Sequence, residues 1–151
     1  MGRKRFRFKL QSVLEIKVKM EDEEKKKLAD LVQLQAREEQ VLQHLQHTRQ
    51  QRILEFKEKQ GTGGIDVTEL QMYAYTIEKL KNDIINQQLR LREIAIKVEE
   101  QRQALIKATQ EKKIYEKLKE KQQQVFTDEE EYEEKKLIDE LATIKFAREK
   151  I

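Results

Sequence analysis

The most constraining feature of this sequence is that almost nothing in it interrupts a helix. The chain contains no proline, and three of its four glycines lie together at Gly61, Gly63 and Gly64. Proline and glycine are the residues that most strongly break helices. The sequence therefore predicts one helix over about residues 8–60, a turn over residues 61–65 and a second helix over about residues 66–150.

Composition excludes several other classes of protein. Charged residues make up 40% of the chain, and there is no cysteine or tryptophan. A compact enzyme of 151 residues needs more apolar side chains to fill a core. A β-sandwich needs turn residues every 8–12 positions, and disulfides or cysteine-bound metals need cysteine. The sequence contains no apolar run of about 18 residues, so it predicts no membrane helix. No apolar segment follows the basic N-terminus, as one would in a secretory signal.

Net charge is concentrated at the N-terminus. The net charge of the chain is +3, but Arg3, Lys4, Arg5, Arg7 and Lys9 carry five positive charges before the first acidic residue. The rest of the chain is slightly acidic, whereas a nucleic-acid-binding protein usually presents a basic face along its length. We therefore expect no nucleic acid among the partners, although a basic-tailed nucleic-acid or membrane adaptor remains an alternative.

The second predicted helix carries a long coiled-coil seam. From Tyr73, steps of four and three residues in alternation reach Phe126, and eleven of the sixteen positions are apolar or aromatic. Such spacing is typical of helices that pack against each other. The polar members of this seam are Gln87, Gln101, Lys112, Lys119 and Gln122. The first helix has a less regular stripe, because residues 21–27 contain no apolar side chain.

One break between two seams predicts an all-α fold, in which two long helices form an antiparallel coiled-coil hairpin with a protruding C-terminal helix. We expect a single domain over residues 1–151, with residue i facing about residue 125 − i. Residues from about 127 onward then have no partner in the chain. Asp66 or Thr68 is the expected N-cap of the second helix, and Thr127 with Glu130 resembles a further capping box.

No candidate catalytic or metal site emerges from the remaining motifs. His44 and His47 lie on a polar stretch, without an evident third ligand. The acidic clusters at residues 21–24 and 128–134 lack the ligand spacing of a calcium loop. The glycines at residues 61–64 lack the phosphate-loop pattern. We expect no enzyme activity, no cofactor and no bound metal.

Several apolar residues fall outside the coiled-coil seam, and they have two alternative interpretations. Either they widen the seam or build a self-associating bundle, or they form a groove for a partner. The residues assigned to this set are Leu70, Met72, Tyr75, Ile85, Leu89, Ile96 and Ile106.

Both ends of the chain resemble the FliJ family of flagellar export proteins. The opening residues 6–17, FRFKLQSVLEIK, are followed by the acidic residues 21–24, a lysine run and Leu28-Ala29. Near the other end, residues 134–142 read EKKLIDELA and resemble the closing motif E-x-K-x-x-D-E-x-A of that family. The hairpin length and the glycine break agree with the resemblance, which covers essentially the whole chain.

That resemblance implies a non-enzymatic, cytoplasmic component of the flagellar type III export apparatus. Members of the family form a coiled coil similar to the stalk of rotary ATPases. The implied partners are the export ATPase hexamer, the cytoplasmic domain of the export-gate membrane protein, and export chaperones. Through these partners, the protein would lie at the inner face of the membrane at the flagellar base.

By this analogy, the two chain ends would contact the ATPase, and the middle and tip of the hairpin would face the gate. The residues expected at the ATPase end are Arg5, Phe6, Phe8, Leu137, Asp139, Glu140, Leu141 and Ile144. Those expected to face the gate are Leu70, Met72, Tyr75, Ile85 and Leu89. A self-assembling coiled-coil spacer or tether remains an alternative from a different functional class.

Overall fold

The computed structural model describes residues 4–150, and two long helices account for nearly all of them. Helix α1 spans Gln11–Thr62 and helix α2 spans Val67–Glu149. The described range contains no strand. The predicted all-α fold of two helices packed against each other is therefore confirmed, and each predicted helix boundary lies within about three residues of the observed one.

Packing divides the chain into two units. One consists of residues 23–105 and is called the hairpin unit; the other combines residues 1–22 with residues 106–151 and is called the terminal unit. That the chain forms a single domain stays a prediction.

Within the hairpin unit, α1 ends two residues later than predicted. Gly61 and Thr62 are still helical, and Gly63 is the residue that stops the helix, with φ +68°. Its amide donates to the Gln60 carbonyl at 3.3 Å. A left-handed residue just after a helix is a common terminator, and glycine adopts that conformation without steric strain. At the start of α2, the Glu69 amide donates to Asp66 Oδ1 at 2.7 Å, so the predicted cap at Asp66 is confirmed.

Alanine substitutions at the two glycines are expected to have opposite effects on stability. Gly63→Ala should lower the free energy of unfolding by about 1–2 kcal/mol, because a Cβ disfavours the left-handed conformation. Gly61→Ala should raise it by about 0.5–1 kcal/mol, because Gly61 is helical with open space around its Cβ position. Thermal unfolding followed by circular dichroism measures both changes, and equal shifts would contradict this account of the turn.

The coiled-coil core of the hairpin unit follows the predicted seam. Ile94 and Val98 are the most deeply buried apolar residues, each 4% exposed. Their neighbours along the seam are half-buried. Leu70, which the sequence pattern assigns to the off-seam set, is also half-buried. Leu70 precedes Tyr73 by three residues, so it continues the same alternation and packs inward. It therefore belongs to the core rather than to an outer surface.

Two glutamines on the seam of the hairpin unit hold the helices in register. Gln87 donates to the Glu38 backbone carbonyl at 2.9 Å and to Glu38 Oε2 at 2.6 Å. Gln101 contacts Glu24 in the same way, donating to its carbonyl at 3.1 Å and also to its carboxylate. Both pairs match the predicted register. Polar seam residues of this kind select one alignment of a coiled coil, because any slip leaves them unpaired.

In the terminal unit, the pairing departs from the predicted register. Gln11, which the predicted register places opposite residue 114, accepts a hydrogen bond from Lys119 at 2.9 Å. Phe6, placed opposite residue 119, packs on Phe126 with 5.7 Å between ring centroids. Residues 4–8 are not helical, and a non-helical segment can span more than the roughly 1.5 Å per residue of a helix, which accounts for the further reach of Phe6. The offset of Gln11, which lies within α1, has no such explanation.

A buried ion pair occupies the stretch of α1 that lacks apolar residues. Glu21 is only 3% exposed, and its carboxylate accepts from Lys112 Nζ at 3.0 Å. One turn away, Lys17 pairs with Glu111 at 3.1 Å. This part of the seam is thus polar but satisfied, because Lys112 supplies the positive charge that a buried carboxylate requires.

The contribution of Lys112 to stability is expected to disappear at alkaline pH. Its hydrogen bond to Glu21 raises the pKa of Lys112 above its ordinary value of 10.5. The stabilisation is therefore complete below pH 10.5 and is lost as the pH rises through the higher pKa of the folded state. Lys112→Arg, which stays charged, should lose less thermal stability over that window than the unmodified protein. Identical pH profiles of the two thermal midpoints would exclude this role.

Candidate functional site

The C-terminal part of α2 presents a continuously exposed surface in the terminal unit. Every residue over the range 131–150, called the tail, is exposed. Three of its apolar residues, called the tail stripe, lie four and three positions apart: Leu137, Leu141 and Ile144 are between 51% and 57% exposed. This spacing places them on one face of the helix. Exposed apolar stripes of this kind are typical of helices that bind a partner.

The start of the unpaired region lies close to the predicted one. The sequence predicts no partner for residues from about 127; residues 127–129 are exposed, Glu130 is half-buried, and uniform exposure begins at residue 131. No new helix begins at Thr127. Its hydroxyl donates to the Gln123 carbonyl at 3.0 Å, as in the interior of a continuous helix.

The polar residues assigned to the ATPase end lie among the apolar ones of the tail. Asp139 and Glu140 are exposed. Before them comes an acidic run over residues 128–134, and after them come Lys145, Arg148 and Lys150. Residues 135 and 136 between the two acidic groups are lysines, so acidic and basic groups alternate along the tail.

The N-terminal residues assigned to the same end divide into two groups. Arg5 is exposed, whereas Phe8 is 8% exposed and Phe6 is half-buried against Phe126. The Phe6 ring therefore anchors the N-terminal segment to α2, and the buried Phe8 ring is not free to stack on nucleic-acid bases. Phe126 precedes Leu137 by eleven residues, about 16 Å along a helix, so Phe6 and the tail stripe are separate surfaces.

A second apolar surface lies on the solvent side of α2 in the hairpin unit. It is called the outer face and is formed by Met72, Tyr75, Ile85 and Leu89, all of which are exposed. Tyr75 and Leu89 are fourteen residues apart, two coiled-coil repeats, and so they occupy the same side of the helix. Ile96 continues this side one repeat later. Leu70 is excluded, because it packs into the seam.

Near the end of the hairpin, an aromatic and ionic cluster joins the two helices. Phe56 and Tyr73 pack with ring centroids 5.8 Å apart, and Lys59 Nζ lies 5.2 Å from the Tyr73 ring centroid. Lys59 also contacts Glu69 at 3.4 Å. Hydrogen bonding to Tyr73 and then to Glu69 raises the pKa of Lys59. The cluster fixes the end of the hairpin next to Met72.

The structure also bears on metal binding and on membrane insertion. His44 and His47 are both exposed on α1. Within residues 4–150, the structure brings no three histidine or acidic side chains together in a metal-binding arrangement. No helix in this range is long and apolar enough to cross a membrane.

The partners of the polar seam residues follow only in part from the sequence. Gln87 and Gln101 were recognised as seam positions, and the predicted register points from them to Glu38 and Glu24. Both residues at those positions are glutamates, and this is the signal from which the two contacts could have been predicted. The buried Lys112–Glu21 pair could not be found in this way, because the register differs in the terminal unit.

Comparison with known proteins places the chain in a family. No curated protein and no solved structure matches it significantly. The family model described as the flagellar FliJ protein matches residues 6–150, nearly the whole chain and both of the terminal motifs noted above. The chain therefore belongs to the FliJ family and is a component of the flagellar export apparatus.

Proposed function

We propose that this protein is a stalk-like, non-enzymatic coupling element between the export ATPase hexamer and the cytoplasmic domain of the export gate. It also assists export chaperones, and it is cytoplasmic, held at the inner face of the membrane at the flagellar base by its partners. The observation that carries the proposal is that the exposed apolar residues include two sets with regular helical spacing, the tail stripe in the terminal unit and the outer face in the hairpin unit.

The tail stripe is the surface assigned to the ATPase. Leu137, Leu141 and Ile144 offer an apolar ridge of about two helical turns. Asp139 and Glu140, which flank it, add charge that steers association and fixes orientation. A helix presenting such a ridge binds by inserting it into an apolar groove.

The outer face is assigned to the gate domain and to export chaperones. Tyr75 and Met72 are residue types enriched in protein interfaces, and both are largely exposed. The gap between Leu89 and Tyr75, about 21 Å along a helix, provides a long but narrow contact. A contact of that kind suits a partner that is bound and released repeatedly.

The polar contacts in the seam support a coupling role. A two-helix coiled coil that slips in register cannot transmit force, whereas the contacts of Gln87 and Gln101 with α1 oppose slippage in the hairpin unit. Within the terminal unit, the Lys112–Glu21 pair has the same effect.

A bridging experiment tests the proposal. Immobilised gate domain should retain the export ATPase only when this protein is added, and the protein should stimulate ATP hydrolysis at a ratio of one copy per hexamer. Tyr75→Asp with Leu89→Asp should abolish retention on the gate while leaving ATPase stimulation unchanged. A control matched in net charge is Lys79→Gln with Lys81→Gln, which changes the charge of α2 by the same two units without removing an apolar side chain. Absence of bridging by the unmodified protein would refute the coupling role.

A further inference from the structure

The tail stripe is bounded by two residues of opposite charge. Glu134 precedes Leu137 by three residues, and Arg148 follows Ile144 by four, so the five positions repeat the coiled-coil alternation. All five are exposed. Within the part of the chain that the structure describes, neither Glu134 nor Arg148 forms an ion pair. The stripe is thus a complete coiled-coil face with a negative and a positive end.

This arrangement is self-complementary when two copies run in opposite directions. An antiparallel pair in which Leu141 faces its own copy places Glu134 opposite Arg148 and brings Leu137 within one residue of the level of Ile144, and the contacts of Glu134 and of Leu137 each occur twice. A parallel pair would instead place Glu134 opposite Glu134 and Arg148 opposite Arg148. Like charges facing each other are destabilising, whereas opposite charges select the partner and the orientation in coiled coils.

We propose that, in the free protein, the tail stripe is covered by the tail stripe of a second copy in this antiparallel arrangement. The contact is a two-fold symmetric one, in which the same patch serves both copies. It spans Glu134 to Arg148, about 21 Å of helix, and Glu140 lies beside its own copy near the axis. An interface of this size, with like charges at its centre, belongs to the weak and transient class.

The inference concerns the isolated protein and does not depend on the ATPase. Where the proposed function also holds, the two occupants exclude each other, because both cover Leu137, Leu141 and Ile144. A weak homodimer then protects the apolar stripe until the ATPase displaces the second copy.

Charge reversal tests the proposed pairing. Sedimentation equilibrium over a concentration series should show a monomer–dimer equilibrium for the unmodified protein. Glu134→Arg and Arg148→Glu should each raise the dissociation constant of the dimer at least about tenfold, because each places like charges together at both ends of the contact. A mixture of the two variants should dimerise again, since every pair is then of opposite charge. An unmodified protein that is monomeric throughout, single variants that still dimerise, or a mixture that does not would each overturn the proposal.

Cysteine cross-linking tests the direction of the two helices, because the chain has no cysteine of its own. Under mild oxidation, Leu141→Cys should form a disulfide with its own copy. Leu137→Cys should not do so alone, but should form one when mixed with Ile144→Cys. Efficient self-cross-linking of Leu137→Cys would indicate parallel helices and overturn the arrangement. None of these measurements contains the ATPase, so their outcome is independent of the bridging experiment.

Discussion

Replacing Leu137 and Leu141 together with aspartate should weaken binding to the export ATPase by at least about a hundredfold. Each leucine that enters an apolar groove contributes roughly 1.5–3 kcal/mol, and loss of both exceeds the 2.7 kcal/mol that corresponds to a factor of one hundred. The introduced carboxylates must also lose their hydration on entering the groove, which lowers the affinity further. Titration calorimetry with the purified ATPase measures the change.

Folding of the rest of the chain should be unaffected by this double substitution. Both leucines are more than half exposed, so their removal takes no packing contact from the seam. Circular dichroism should therefore report unchanged helicity. Phe146→Asp is the matched control, because Phe146 is equally exposed but lies on a different side of the helix from the tail stripe. Unchanged ATPase binding by the double variant would show that the tail is not the ATPase contact.

Much of the fold could be predicted because a coiled coil is specified by local periodicity. The seam from Tyr73 to Phe126 follows from spacing alone, and among its positions only Gln122 is exposed. The register of the hairpin unit follows from the position of the turn, and the contact between Gln87 and Glu38 agrees with it. These predictions required no knowledge of side-chain geometry.

What could not be predicted depends on how individual residues satisfy their polar groups or their backbone. Gly61 continues the helix because an isolated glycine within a helix is tolerated, whereas Gly63 ends it by adopting a positive φ. Glu21 is buried because Lys112 reaches it, and the sequence of α1 gives no sign of that partner. Phe8 is buried in a segment that is not helical, whereas the sequence predicts that the helix begins there.

The candidate surfaces were predictable in outline for a different reason. Apolar residues off the seam of a two-helix coiled coil have nothing in the chain to cover them, so Met72, Tyr75 and Leu89 were expected to be exposed, as they are. Which partner covers each surface is a property of that partner, and it stays a prediction.

The second large effect is expected at the core of the hairpin unit, where Ile94→Ala should lower the free energy of unfolding by about 2–5 kcal/mol. Ile94 is 4% exposed, so the substitution removes buried methyl groups and leaves a cavity between the helices. Small proteins are stable by only about 5–15 kcal/mol, so this loss is a large part of the total. Urea unfolding followed by circular dichroism at 222 nm, the usual helix band, measures it.

Ile96→Ala provides the matched control, because it makes the same chemical change two residues away on the same helix. Ile96 is 60% exposed, so little packing is lost, and alanine is the better helix former. Its free energy of unfolding should stay within about 0.5 kcal/mol of that of the unmodified protein. Helix propensity favours alanine at both positions. The difference in free energy of unfolding between the two variants therefore reports the effect of burial. Equal effects at residues 94 and 96 would mean that the seam does not hold these helices together.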